Sequence, residues 1–177
     1  MSRITHPLPP LVQAPSPNQS SRRGFAPSGV VVHETEGSYA GAVSWLRNPK
    51  AQASAHLVLR EDGLQAAQLV PWHMKAWHAE NANTYTLGIE LAGKTALPNR
   101  DEQLHRAARI VGWWCVTYRI PVHQGDSKGH GGIVRHLDLG WFGGGHHDPG
   151  GFDWPTFLRM VKAEVALGGF RKVYGVK

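Results

Sequence analysis

The chain holds one cysteine, Cys115, so no intramolecular disulfide can support it and stability has to come from a buried core. That agrees with folding in a reducing compartment. No apolar stretch approaches the ~20 residues of a membrane-spanning helix. The first 28 residues carry Pro7, Pro9, Pro10, Pro15, Pro17 and Pro27 and no continuous apolar segment of the signal-peptide kind. No internal repeat is visible. Acidic residues are the minority, 13 against 19 Lys and Arg, which leaves a formal charge of +6. Such a surface favours polyanions, whether nucleic acid or the polymers of an anionic cell envelope. The basic residues are scattered rather than clustered, so no specific nucleic-acid partner is expected.

Eleven histidines and seven tryptophans stand out within 177 residues, a length that suits one domain. Residues 1–28 read as an irregular Pro- and Ser-rich arm with a few apolar handles, Leu8, Leu11, Val12 and Phe25. Residues 29–33 are a short apolar run of the buried-strand type. A helix is expected over 39–48, with Ser38 as its N-cap and Asn48-Pro49 as its stop. Residues 56–60 and 64–70, joined by Glu61-Asp62-Gly63, predict a hairpin. Another strand follows over 84–91. The longest helix spans 101–118, where Leu104, Ala108, Val111, Cys115 and Tyr118 recur at helical spacing; Cys115 is therefore a core residue rather than a nucleophile. Residues 131–136 predict a strand, 139–151 a Gly-rich loop, and Asp153 caps a last helix with Pro155 in its first turn. The tail, 169–177, is basic and peripheral. Strands alternating with helices predict an α/β fold: one domain, 29–168, with a central mixed β-sheet flanked by helices.

Three separated segments end on groups able to hold a metal: Val30-Val31-Val32-His33, Ile133-Val134-Arg135-His136 and His146-His147-Asp148-Pro149-Gly150. Two imidazoles and a carboxylate make a catalytic zinc site that leaves a position for water. Strand ends hold His33 and His136 rigidly, and the Gly-rich third segment lets a carboxylate approach an ion closely. Glu90 lies inside the apolar run Leu87-Gly88-Ile89-Glu90-Leu91, where a carboxylate is costly without a task or a partner. A structural Glu on the exposed strand face is the other reading.

With these segments in place, the chain resembles the zinc-dependent N-acetylmuramoyl-L-alanine amidases of the amidase 2 family. That family includes phage endolysins, muropeptide-recycling enzymes and peptidoglycan-recognition proteins. The likeness is carried, in order, by Val31-Val32-His33-Glu34-Thr35, Ser54-Ala55-His56-Leu57-Val58, Arg60-Glu61-Asp62-Gly63, Val70-Pro71, Ala76-Trp77-His78-Ala79, Asn83 with Leu87-Gly88-Ile89-Glu90-Leu91, Arg135-His136, and Asp148-Pro149-Gly150 with Phe152-Asp153-Trp154. It implies one zinc per chain on His33, His136 and Asp148, with Glu90 as general base.

The departure is His146, where the family commonly carries Lys two residues before the third ligand. A protonated imidazole can stabilise an oxyanion as an ammonium does, but its charge fades as pH rises. His147 is an alternative in the same run, or a solvent-facing residue. Ala55 replaces the Tyr that some relatives use in catalysis. His56, Trp77, His78 and Asn83 are expected to contact substrate; half-buried packing is the other reading for His56 and Trp77, and turn formation for Asn83.

The resemblance implies a hydrolase that cleaves the amide between N-acetylmuramic acid and L-alanine of peptidoglycan. The net charge tips the setting toward a phage endolysin, expected as a monomer held in the host cytoplasm until a holin opens the membrane and targeted to anionic wall polymers by the catalytic domain itself. A cytosolic muropeptide-recycling amidase is the alternative. A non-catalytic peptidoglycan-binding module is a further one, disfavoured because all three metal ligands are present.

Overall fold

Val30 and Val32 pack into one apolar core and Val31 into another on the opposite side of the same strand, and this alternation organises the molecule. The computed structural model describes residues 7–94, 100–151 and 153–170. The strands are β1 (Leu11–Gln13), β2 (Gln19–Ser21), β3 (Gly29–Glu34), β4 (Leu57–Leu59), β5 (Ala66–Gln68), β6 (Met74–Ala76), β7 (Thr86–Leu91) and β8 (Gly132–Arg135). The helices are α1 (Tyr39–Leu46), α2 (Asp101–Tyr118) and α3 (Trp154–Leu167). Six strands form a mixed sheet in the order β1-β5-β4-β7-β3-β8. β4, β7, β3 and β8 run parallel, and β5 is antiparallel to β4 through the predicted hairpin.

Leu57, Leu59, Leu87, Ile89, Leu91, Val30, Val32 and Ile133 point to the face covered by α2 and α3. α2 meets them with Ala107, Ala108, Ile110, Val111 and Trp114, and α3 adds Phe157 and Val161. Cys115 is buried in the same layer, and burial pushes its thiol up to about 12, so it stays a protonated core group. The helix starts are those the sequence predicts: Ser38 accepts from the Gly41 amide and Asp153 from that of Thr156. The opposite face carries Val31, Val134, His33, Gly88 and Glu90, with α1 and the irregular connections packed over it.

Two expectations change. The arm is not irregular. β1 pairs parallel with β5 at the sheet edge, and β2 pairs antiparallel with β6. These strands are three residues long and take their structure from their partners, so no local periodicity announces them. Arg22, 2 % exposed, plunges inward and donates to the carbonyls of Trp72, Asn83, Thr84 and Thr86. Nor is 139–151 a loop throughout, because a 3-10 helix covers His136–Gly143, broken only at Gly140 where φ is +52°. Met1 to His6, Phe152 and most of the basic tail, 171–177, lie outside the described residues.

Candidate active site

His33 is the penultimate residue of β3, Glu90 lies at the same level in β7, and His136 follows β8 directly, so all three sit at the carboxyl ends of neighbouring parallel strands. That is where ligands collect on such sheets. Asp148 arrives from the third segment. His33 Nδ1 lies 3.0 Å from His136 Nδ1 and 3.5 Å from Asp148 Oδ2, and His136 Nδ1 lies 3.1 Å from Asp148 Oδ1. One ligand atom from each residue falls within 4.8 Å of the others, the only such His, Cys, Asp and Glu group among the described residues. His33 and His136 are almost fully buried.

Each of the three is held from behind. His136 Nε2 is 2.8 Å from the Gly143 carbonyl, supplied by the 3-10 turn. His33 Nε2 is 2.9 Å from His78 Nδ1. Asp148 Oδ2 accepts from the Glu34 amide, and the Leu137 amide donates to the Asp148 carbonyl at 2.8 Å. The Glu34 side chain itself turns away and forms a buried ion pair with Arg100, at the start of α2.

Burial brings the His33 imidazole down to about 4, so it is neutral at physiological pH. Burial pushes the Asp148 carboxyl up, but its polar contacts with the His136 and His33 rings outweigh this and hold it well below the usual carboxylate range. A neutral imidazole and an ionised carboxylate are the states a divalent ion requires, and the nitrogen–oxygen donor set suits zinc. Glu90 is raised to about 8, first by burial and then by the nearby Asp148 and Glu34 carboxylates.

His33, Glu90, His136, His146 and Asp148 line one cavity of about 560 Å³. Its walls extend over Trp45, Trp77 and Asn83. His146 stacks on His136 at 4.3 Å, with Nδ1 4.0 Å from Asp148 Oδ1 and its side chain 59 % exposed. It is the third-segment histidine that faces His136 and Asp148, whereas His147 is exposed and does not line the cavity. Trp77 lines the cavity, its indole N–H donating to the Ser20 hydroxyl. The Asn83 side-chain oxygen accepts from the amides of His78 and Ala79, and the residue borders the cavity.

The other two expected substrate contacts, His56 and His78, are placed differently from one another. His56 is 0 % exposed and does not reach the cavity; its Nδ1 accepts from the Gly88 amide, and its Nε2 lies 2.8 Å from Arg22 and 3.2 Å from the Met74 carbonyl. His78 borders the cavity, and its two ring nitrogens face His33 Nε2 and the Thr86 hydroxyl. Sequence reasoning missed Arg22, Glu34 and Thr86 as supports of the site. Glu34 alone carried a usable signal, a charged residue directly after a ligand at the end of a buried strand.

Residues 23–151 match the family model described as N-acetylmuramoyl-L-alanine amidase, Amidase_2. N-acetylmuramoyl-L-alanine amidase A of Achromobacter lyticus is 51% identical over 153 residues, covering 76% of this chain and 82% of that protein. The 1,6-anhydro-N-acetylmuramyl-L-alanine amidase AmpD of Salmonella typhimurium is 32% identical over 119 residues, covering 62% of this chain and 58% of AmpD. Among solved structures, the Staphylococcus aureus hydrolase AmiA aligns with a TM-score of 0.77 at 16% identity, over 92% of this chain and 86% of AmiA. The catalytic domain of XlyA aligns with a TM-score of 0.66 at 20% identity, over 86% of this chain and 99% of that domain. At these identities the structural likenesses establish the fold. The family-model match over residues 23–151 and the 51%-identical relative place this chain in the N-acetylmuramoyl-L-alanine amidase family, amidase 2.

Proposed function

We propose that this chain hydrolyses the amide joining the lactyl group of N-acetylmuramic acid to L-alanine of the peptide stem, with one zinc ion held by His33, His136 and Asp148. The observation that carries the reading is the convergence of those three donors and Glu90 in one cavity at the strand ends. A bound zinc supplies Lewis-acid polarisation of the scissile carbonyl and makes water a better nucleophile near neutral pH. Glu90, on the same sheet face as His33, takes a proton from the attacking water and passes it to the departing L-alanine amine. A cation on the three ligands favours the ionised form of Glu90, which burial opposes. His146, open to solvent at the cavity rim, donates to the oxyanion as the carbonyl carbon becomes tetrahedral. Trp77 and Asn83 flank the stem, with Trp45 on the α1 side.

For the setting, the charge of +6 favours a wall-acting monomer, read as a phage endolysin drawn to anionic wall polymers after release from the host cytoplasm. The likeness to AmpD favours a second reading, a cytosolic recycling enzyme. Parallel digestion of intact sacculi and of soluble muropeptides tests both, with new L-alanine amino termini counted in each. The lysin reading predicts faster cleavage of sacculi, falling with added salt. Cleavage confined to the soluble fragments supports recycling, and cleavage of neither contradicts the amidase reading.

A further inference from the structure

The order of protons around His33 can be read outward from a backbone carbonyl. The Thr86 hydroxyl is buried and lies 2.8 Å from the Ala82 carbonyl, which can only accept, so the hydroxyl proton points there. Its oxygen is left as the acceptor for His78 Nε2 at 3.2 Å, which puts a proton on that nitrogen. His78 Nδ1 is then a lone pair, and the atom facing it at 2.9 Å, His33 Nε2, must carry the proton between them. His33 Nδ1 is thereby left unprotonated, aimed at His136 Nδ1 and Asp148. His136 follows the same rule through a different partner, since its Nε2 proton goes to the Gly143 carbonyl.

We infer that His78, backed by Thr86, is a positioning residue that fixes the tautomer and ring orientation of His33. The inference rests on the reading of His33 as a metal ligand. Outer partners of this kind commonly set metal affinity. The surroundings of His78 are built for the task. A Cβ at Gly88 would stand 2.7 Å from the His78 ring, so only glycine in that strand lets the imidazole lie against β7. Asn83 clamps the main chain at His78 and Ala79. The ring is thus held in place before any metal arrives.

The test uses the zinc-loaded full chain with 15N-labelled histidine. Long-range proton–nitrogen correlation shows which His33 nitrogen bears hydrogen. The expected result is a proton on Nε2 with the metal on Nδ1; the reverse overturns the inference. Zinc affinity, measured on metal-free protein by chelator competition, gives a second readout. His78→Ala should weaken it by about 10- to 100-fold, and Thr86→Val by a smaller factor. His78→Gln should restore most of it, because its amide oxygen can accept from His33 while its NH2 group faces Thr86. A folded His78→Ala protein that binds zinc within about twofold of wild type overturns the inference. So does a His78→Gln protein as weak as His78→Ala. If His78→Ala does not fold, the wild-type tautomer and His78→Gln still decide. A wild-type protein with the stated tautomer and tight zinc but no amidase activity refutes the proposed reaction and leaves this inference standing.

Discussion

His33 and His136 stand 103 residues apart in the chain, and their Nδ1 atoms lie 3.0 Å from one another. Two ring nitrogens with lone pairs at that distance repel unless a positive charge is shared between them, and the Asp148 carboxylate completes the arrangement. Metal binding should therefore contribute directly to folding stability. At free zinc ~1,000-fold above its Kd the gain is about 4 kcal/mol. Thermal unfolding with zinc and with excess chelator checks this. The wild-type midpoint should fall by several degrees on chelation, and the midpoints of His136→Ala and Asp148→Ala should not respond to zinc.

Glu90 gives opposite effects on activity and on stability. Glu90→Gln should lower kcat by about 10²- to 10⁴-fold, since it removes the proton acceptor. In the metal-free protein the carboxyl holds its proton up to about 8, whereas in the unfolded chain it ionises near its ordinary value of 4.5. Stability linked to that proton is complete below the unfolded value and is lost as pH climbs through the folded one. Gln has no such loss. Metal-free Glu90→Gln should therefore exceed wild type by about 1–2 kcal/mol at pH 9, a discounted figure because the carboxylate opens to the cavity, and by much less at pH 5. Urea unfolding at the two pH values measures the difference; equal gaps contradict the account.

His146 lies on the cavity side of the third segment, at the position where the family resemblance implies a lysine. His146→Ala should reduce kcat by about 10- to 100-fold, while His147→Ala, at an exposed site outside the cavity, should leave kcat within about twofold. His146→Lys should keep activity and extend it into the alkaline range, because an ammonium stays charged where an imidazole does not. A pH–rate profile that is flat to about pH 9 in wild type and unchanged in His146→Lys contradicts the oxyanion role.

Arg22 ties the N-terminal arm to the segments beneath the site. Arg22→Met keeps the packing of the stem but leaves the carbonyls of Trp72, Asn83, Thr84 and Thr86 without their donor. The cost should be about 3 kcal/mol or more in urea unfolding. A loss below about 1 kcal/mol shows that water replaces the guanidinium and that the arm is dispensable.

The strands ending in His33 and His136 were legible because a short all-apolar run bounded by a polar residue has few other readings. Alternation put Glu90 opposite Leu87 and Ile89 but left open whether its face was exposed surface or a site; the fold turns that face into the cavity wall. β1 and β2 were not legible: each is three residues long and exists by pairing with a partner strand. Arg22 reads as a surface residue among Ser and Pro, and its burial depends on carbonyls 50 to 64 positions away. The same limit explains His56 and His78. An imidazole in a strand or groove motif looks alike whether it faces substrate or another side chain, and only the placement of Gly88, Thr86 and Arg22 around it decides.

The central claim is a zinc-dependent amidase centred on His33, His136 and Asp148. Its most direct test is the count of free L-alanine amino termini released from purified peptidoglycan by wild-type protein that is zinc-loaded, stripped by chelator, and reloaded. The account predicts release by the loaded protein, its loss on stripping and its return on reloading, with no reducing sugar formed at any stage. Release that survives complete zinc removal, or reducing ends in place of amino termini, would contradict it.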